Sequence, residues 1–292
     1  MQHITVLQQE AVDGLKLNPQ DTVVDGTFGS GGHAREILKQ LDSTGTYIGI
    51  DADETALQAQ TFETKATIHL VNENFRNITQ ILGSLHITCT DAILADLGWR
   101  MEQFSEGGKG FSFMHDEPLH MTFGDPSQYE FTAFDIVNEW GEDSIADIIF
   151  GYGEDRAARK IAKAIVAARK AGPIATTKQL VDIIESVFPK LHYRKVNLST
   201  KTFQALRIAV NDELGALEQF LKDGFAQLAP GGRMAIITFH SLEDRVVKHY
   251  FRELKDAEAG ILETKKPIIP SPLELKQNPR ARSAKLRIIQ KK

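Results

Sequence analysis

The sequence predicts an α/β protein built on a Rossmann-like sheet, with a mostly helical domain inserted into it. Three observations predict this. A strand, a glycine-rich turn and a helix follow one another at Val23 to Leu41. Strand and helix patterns then alternate to Leu97 and resume after Asp212. More than a hundred residues lie between those two blocks, far too many for a loop within a compact domain.

The first unit reads Val23-Val24-Asp25-Gly26-Thr27-Phe28-Gly29-Ser30-Gly31-Gly32-His33. Two β-branched residues run into an acid, four glycines follow within seven positions, and an amphipathic helix is expected over Ala34 to Leu41. Glycines let the chain turn sharply and approach a ligand, while the helix N-terminus offers free N–H groups. A second strand, Thr46 to Asp51, ends in another acid twenty-five residues beyond Gly26. An acid at that strand tip is placed to take two ribose hydroxyls.

The glycine spacing selects among nucleotide ligands. A dinucleotide turn reads Gly-x-Gly-x-x-Gly, and a Walker loop needs Gly-Lys-Ser/Thr. This turn reads Asp25-x-x-x-Gly29-x-Gly31, the form typical of S-adenosylmethionine (SAM) sites. A nicotinamide dehydrogenase is disfavoured on that spacing.

Further strands are expected at Thr67 to Val71, Ala92 to Leu97, Arg233 to Phe239 and Ala284 to Ile289. Helices are expected at Glu54 to Thr61, Phe75 to Leu82 and Asp212 to Leu228, with another opened at Ser241 by a Ser-x-x-acid cap. Strands alternating with helices imply a parallel sheet with crossover helices. The insert carries helical patterns at Thr132 to Trp140, Ser144 to Phe150, Glu154 to Ala171 and Thr177 to Val187. The division expected is residues 1–103 and 206–292 for the sheet domain and 104–205 for the insert. Hanging at the carboxyl edge of the sheet, an insert there is placed to cover a ligand.

Composition bounds the function. The single cysteine, Cys89, excludes an internal disulfide and a cysteine-based metal cluster. His115 and His120, and His240 and His249, lack the i, i+4 spacing of a helical zinc pair, so no metal is expected. The first residues lack a basic and apolar leader, and no apolar run reaches membrane-spanning length, so a soluble cytoplasmic protein is expected. Net charge is −5, yet the charges are segregated. Thirteen acids and one base lie between Met101 and Asp155, six bases between Arg156 and Lys170, and seven bases with no acid from Lys276 to Lys292. Clustered bases in an acidic protein are a phosphate footprint or a solvated face.

Asp96 emerges at the end of the fourth strand. A carboxylate there accepts a hydrogen bond from an amine and favours the charge that develops as the amine is methylated; otherwise it is a turn residue. His33 follows the glycines and either caps its helix or touches the ligand.

Five separated motifs now add up to a resemblance. They are Asp25-Gly26-Thr27-Phe28-Gly29-x-Gly31-Gly32-His33, Gly110-Phe111-Ser112-Phe113, Thr202 to Leu214, Phe239 to Arg245 and Asn278 to Arg287. In this order they resemble the signatures of the MraW/RsmH family, SAM-dependent methyltransferases acting on the exocyclic N4 of a cytidine in small-subunit (16S) ribosomal RNA. The resemblance covers essentially the whole chain. It implies a cofactor site made by Gly31, Gly32, His33 and Asp51, with Phe75 against the adenine, Asp96 near the methionine end and Gln103 beyond it. It implies small-subunit RNA, or the assembled subunit, as partner. Arg280 and Arg282, read along an extended tail, share one side and are the expected phosphate contacts, with Lys285 and Arg287 on the other.

Two segments depart from the family pattern. Trp99 to Ser105 keeps only Gln103 of Val-Ser-Ser-x-Gln-Leu-Asp, and Pro118-Leu119-His120-Met121-Thr122-Phe123 replaces Pro-Leu-Asp-Met-Arg-Met. They support a rival reading, an RNA-binding ribosome-assembly factor with the same fold and weak or no methyl transfer.

Overall fold

A computed structural model describes residues 4–58, 61–98, 108–188 and 198–292. It divides into two compact units, Met1–Arg100 with Leu214–Lys292, and Met101–Glu213. No helix among the described residues is long and apolar enough to cross a membrane.

The first unit is a seven-stranded sheet. Its strands are β1 (Thr22–Asp25), β2 (Thr46–Asp51), β3 (Thr67–Asn72), β4 (Thr90–Asp96), β5 (Leu228–Thr238), β6 (Gly260–Leu262) and β7 (Lys285–Lys291). They lie in the order β3-β2-β1-β4-β5-β7-β6. Neighbours from β3 to β5 run parallel, and β7 runs antiparallel between β5 and β6. Register sets Val24 beside Ile48 on one side and Ile93 on the other. The strand order reverses direction between β1 and β4, which is where open α/β sheets bind ligands.

Both sheet faces are covered, which is why β1, β2 and β4 read as near-continuous apolar runs. Side chains alternate, so Val23, Tyr47, Leu94, Ile237 and Leu286 enter one core with α1 (Gln8–Leu15) and α2 (Gly32–Leu38). Val24, Ile48, Ile93, Ile236 and Ile289 enter the other with the helices Ile78–Ser84 and Glu213–Gln227. Helix α3 (Glu54–Gln58) follows β2.

Local chemistry adjusts several expected elements. The helix after β5 is Ser241–Asp256, and its cap is His240 rather than Ser241. His240 Nδ1 accepts the Glu243 N–H, while Glu243 Oε2 accepts the N–H groups of Phe239 and His240. The expected helix from Glu154 starts at Ala158, because Glu154 takes a left-handed conformation (φ 48°) that ends the preceding helix. Helices Gln8–Leu15, Thr200–Asn211 and Pro272–Gln277 and strand β6 were not expected. Of these, β6 is three residues long and exists only by pairing with β7.

The second unit holds helices Ala133–Glu139, Glu142–Gly153, Ala158–Ala168, Thr177–Ser186 and Thr200–Asn211. The motif Thr202 to Leu214 ties it together. Arg207 grips Glu213 with two hydrogen bonds, Nε to Oε1 at 2.7 Å and Nη2 to Oε2 at 2.8 Å. Asn211 accepts the Phe123 N–H at 3.0 Å and donates to Met121 O at 2.7 Å and Arg207 O at 2.9 Å. The divergent 118–123 segment is therefore held in place, with Leu119, Met121 and Thr122 fully buried. Gly110 has φ +79°, and a Cβ there would lie 2.2 Å from Pro118 O, so the Gly-Phe-Ser-Phe motif admits only glycine at its head.

Candidate active site

Three acids end three neighbouring strands at the switch point: Asp25 on β1, Asp51 on β2 and Asp96 on β4. Asp25 is fully buried. Its carboxylate accepts the Tyr47 hydroxyl at 2.9 Å and the Thr27 N–H at 3.1 Å. Burial pushes it up to about 6, against those two hydrogen bonds, with the Asp51 charge adding to the rise. Asp96 is pushed up to about 7, first by burial, then by the charges of Asp25 and Glu243, while the Gly98 N–H opposes the rise. Its side chain keeps 16% exposure, enough to meet a ligand atom.

The turn after β1 is set by these acids. Asp51 Oδ2 accepts the Gly29 N–H at 2.8 Å, and its Oδ1 accepts the Asp53 N–H at 2.9 Å. The Asp96 N–H reaches back to Thr27 Oγ1 at 2.6 Å, bridging β4 to the turn. Gly31 caps α2 in a left-handed conformation (φ 69°) with no side-chain hydrogen bond, so His33 is not the cap. His33 is instead buried in the first turn, with Nδ1 4.0 Å from Asp96 Oδ2.

Gly31 and Gly32 have a structural reason to lack side chains beyond ligand approach. A Cβ on Gly31 would crowd Phe62 and Phe28, and one on Gly32 would fall 1.8 Å from Thr5 Oγ1. Phe75, just past β3, is half-buried and meets Phe220 edge-on at 4.9 Å. Phe220 in turn fills the space that a Cβ on Gly26 would need. The first turn thus shares a packing chain with the aromatic expected against an adenine. Gly31, Gly32, His33, Asp51, Phe75 and Asp96 all belong to the sheet unit, whereas the whole Trp99–Ser105 motif, with Gln103, lies outside the described residues.

The basic tail is arranged differently from the expectation. Arg280 and Arg282 stand on a 3-10 turn, Pro279–Ser283, not on a strand. Residues two apart on such a turn point about 240° apart, so the two arginines do not share a side. Both are exposed, flanking the fully buried Ala281 that anchors the turn. Lys285 and Arg287 do share a side, on β7, and both bond Asp244, at 2.8 Å each. That pairing holds the Asp244 carboxyl below its ordinary range despite partial burial. The fourth and fifth motifs therefore meet in an ion cluster that joins the last strand to helix Ser241–Asp256.

Sequence reasoning gave no site role to Thr27, Tyr47, Gly98 or Phe239. The Phe239 ring lies where a Cβ on Gly98 would fall, beside Asp96. Tyr47 carried a signal, since a phenol inside a buried strand next to a buried acid needs that acid as partner.

A family model described as the MraW methylase family matches residues 1–292. A protein of Clostridioides difficile (strain 630) named ribosomal RNA small subunit methyltransferase H is 40% identical, over 99% of this chain and 98% of its own. A protein of the same name from Acetivibrio thermocellus is 44% identical, over 99% of both chains. A solved rRNA methylase from Streptococcus thermophilus matches at 12% identity and a TM-score of 0.45, covering 99% of both chains. With the family model spanning every residue and relatives of this identity at full length, the chain belongs to the MraW methylase family.

Proposed function

We propose that this methyltransferase uses SAM to methylate the exocyclic N4 amine of a cytidine in small-subunit ribosomal RNA, in the cytoplasm. The observation that carries the reading is the trio of carboxyls Asp25, Asp51 and Asp96 at the switch point, in a member of a methylase family. Gathered acids, two of them, Asp25 and Asp96, with raised proton affinities, fit a ligand bearing positive charge, and SAM carries both a sulfonium and an ammonium. The glycine turn and Asp51 fit its adenosine half.

In this reading Gly31, Gly32, His33, Asp51, Phe75 and Gln103 hold the cofactor, which supplies an electrophilic methyl group when bound. Asp96 is the catalytic residue. Its carboxylate accepts a hydrogen bond from the target amine, aims the nitrogen lone pair, and takes the proton that the nitrogen sheds. A carboxyl poised near neutrality suits that transfer better than an ordinary one. Arg280 and Arg282 take phosphates, which position the RNA without reading its sequence.

Mass-spectrometric nucleoside analysis of small-subunit RNA, from cells with and without the protein, tests the reading. N4-methylated cytidine should disappear with the protein and return with the wild-type chain. Unchanged nucleosides together with a defect in subunit assembly would replace it by the assembly-factor reading.

A further inference from the structure

The segment from Ile4 to Gln8 is bound at three points to two distant parts of the sheet unit. Glu274, in helix Pro272–Gln277, accepts the Leu7 N–H at 2.8 Å. Asn278, which begins the Arg280–Arg282 turn, donates to Ile4 O at 3.1 Å. Gln8 Nε2 donates to Gly32 O at 2.7 Å, in the first turn of α2.

Two details show that these are built contacts. Leu7 is fully buried with φ 49°, a left-handed conformation that a branched apolar residue adopts only when its surroundings impose it. The third residue of a helix commonly turns its carboxylate back on the cap. Ser271 accepts the Glu274 N–H in the usual way, but the Glu274 carboxylate crosses to Leu7 instead. Thr5 meanwhile occupies the space that a side chain on Gly32 would take.

We infer that residues 4–8 form a strap that positions the cofactor turn, with Gln8 and Glu274 as its positioning residues. Gln8 fixes the Gly32 carbonyl, and Glu274 fixes the bend at Leu7 from which Gln8 reaches. Neither side chain is assigned a contact with SAM. Their effect passes through Gly31 and Gly32, the residues that the cofactor reading places on the ligand. Because Asn278 holds the same strap, the basic turn and the cofactor turn share one support.

Calorimetry of SAM on the purified full chain, beside thermal unfolding, tests the inference. Glu274→Ala should weaken SAM binding about two- to tenfold, the worth of one lost hydrogen bond, with turnover at saturating SAM little changed. Glu274→Gln keeps an oxygen for the Leu7 N–H and should restore the affinity. Gln8→Met removes only the donor to Gly32 O and should show the same loss, which keeps the test open if Glu274→Ala fails to fold. Wild-type SAM affinity in folded Gln8→Met, or a Glu274→Gln variant no better than Glu274→Ala, would overturn the positioning role. A wild-type chain that takes no SAM at all would instead overturn the cofactor reading.

Discussion

Nδ1 of His33 lies 4.0 Å from Oδ2 of Asp96, bringing the first turn of α2 against the tip of β4. One residue comes from the glycine-rich motif and the other from a strand tip sixty-three residues later in the chain. Their approach places the expected catalytic acid beside the glycine-rich turn, and the chemistry of that acid can be tested.

Asp96 and Asp25 make stability and SAM binding depend on pH in opposite senses. Their folded values, about 7 and about 6, stand above the ordinary 3.8. These two carboxyls therefore hold more protons in the folded than in the unfolded chain between about pH 4 and 7, and their contribution to stability falls as pH rises through that window. Positive charge on SAM favours the carboxylates, so the stabilisation by SAM should grow over the same window. Melting temperatures with and without SAM, from about pH 5 to about pH 8, check both trends. Asp96→Asn should remove the upper part of the growth; a stabilisation by SAM that ignores pH would count against charge complementarity.

Turnover should separate Asp96 from the residues that merely bind. Asp96→Asn should slow single-turnover methyl transfer far more than it weakens RNA in filter binding. Equal losses would make Asp96 a structural residue.

At Asp51 the two substitutions Asn and Ala should differ. Asp51→Asn retains an oxygen for the Gly29 N–H, whereas Asp51→Ala frees the turn as well as the ligand. Loss of a charge-assisted bond costs about 1.5–3 kcal/mol, so calorimetry should show weaker SAM binding for Asn and weaker still for Ala. Equal affinity in the wild type and both folded variants would remove Asp51 from the site.

Arg280 and Arg282, exposed on their turn, should each carry about 0.7–0.9 of the slope of log affinity against log salt for RNA, if each neutralises one phosphate. Changing both to Ala should flatten that slope and leave SAM affinity intact. A wild-type slope in the double variant would shift the phosphate contacts to the bases between Arg156 and Lys170.

The grip of Arg207 on Glu213 should be worth more than a surface pair, since each side chain is only 15% exposed. Arg207→Ala leaves an acid without its fork and should cost about 3 kcal/mol. Urea unfolding followed by tryptophan emission measures the loss, with Trp140 reporting from the helical unit.

Much of the sheet was legible because buried parallel strands are runs of Val, Ile, Leu and Ala that end in polar residues. Val23-Val24-Asp25 and Ala92 to Asp96 show this, and Asp25, Asp51 and Asp96 were readable as strand tips. What stayed hidden depends on partners far away in the chain. The bend at Leu7 answers to Glu274, the edge strand Gly260–Leu262 answers to β7, and the arginine turn answers to the burial of Ala281. Lys285 and Arg287 gave no sign of their partner, because Asp244, which binds them, is more than forty residues away. Local patterns carry no record of such pairings.

The position of β7 has a consequence for how the protein comes into being. A ribosome releases the chain in order, and β7 is the last described strand to emerge, yet it belongs inside the sheet, between β5 and β6. Until Lys285 to Lys291 are out, β5 has an open edge, β6 has no partner and Asp244 has no counter-charges. Domains that begin folding during synthesis can complete only those parts whose partners have already appeared. The nascent chain is thus kept immature by its own topology, and the seven-stranded sheet can close only after translation has passed β7.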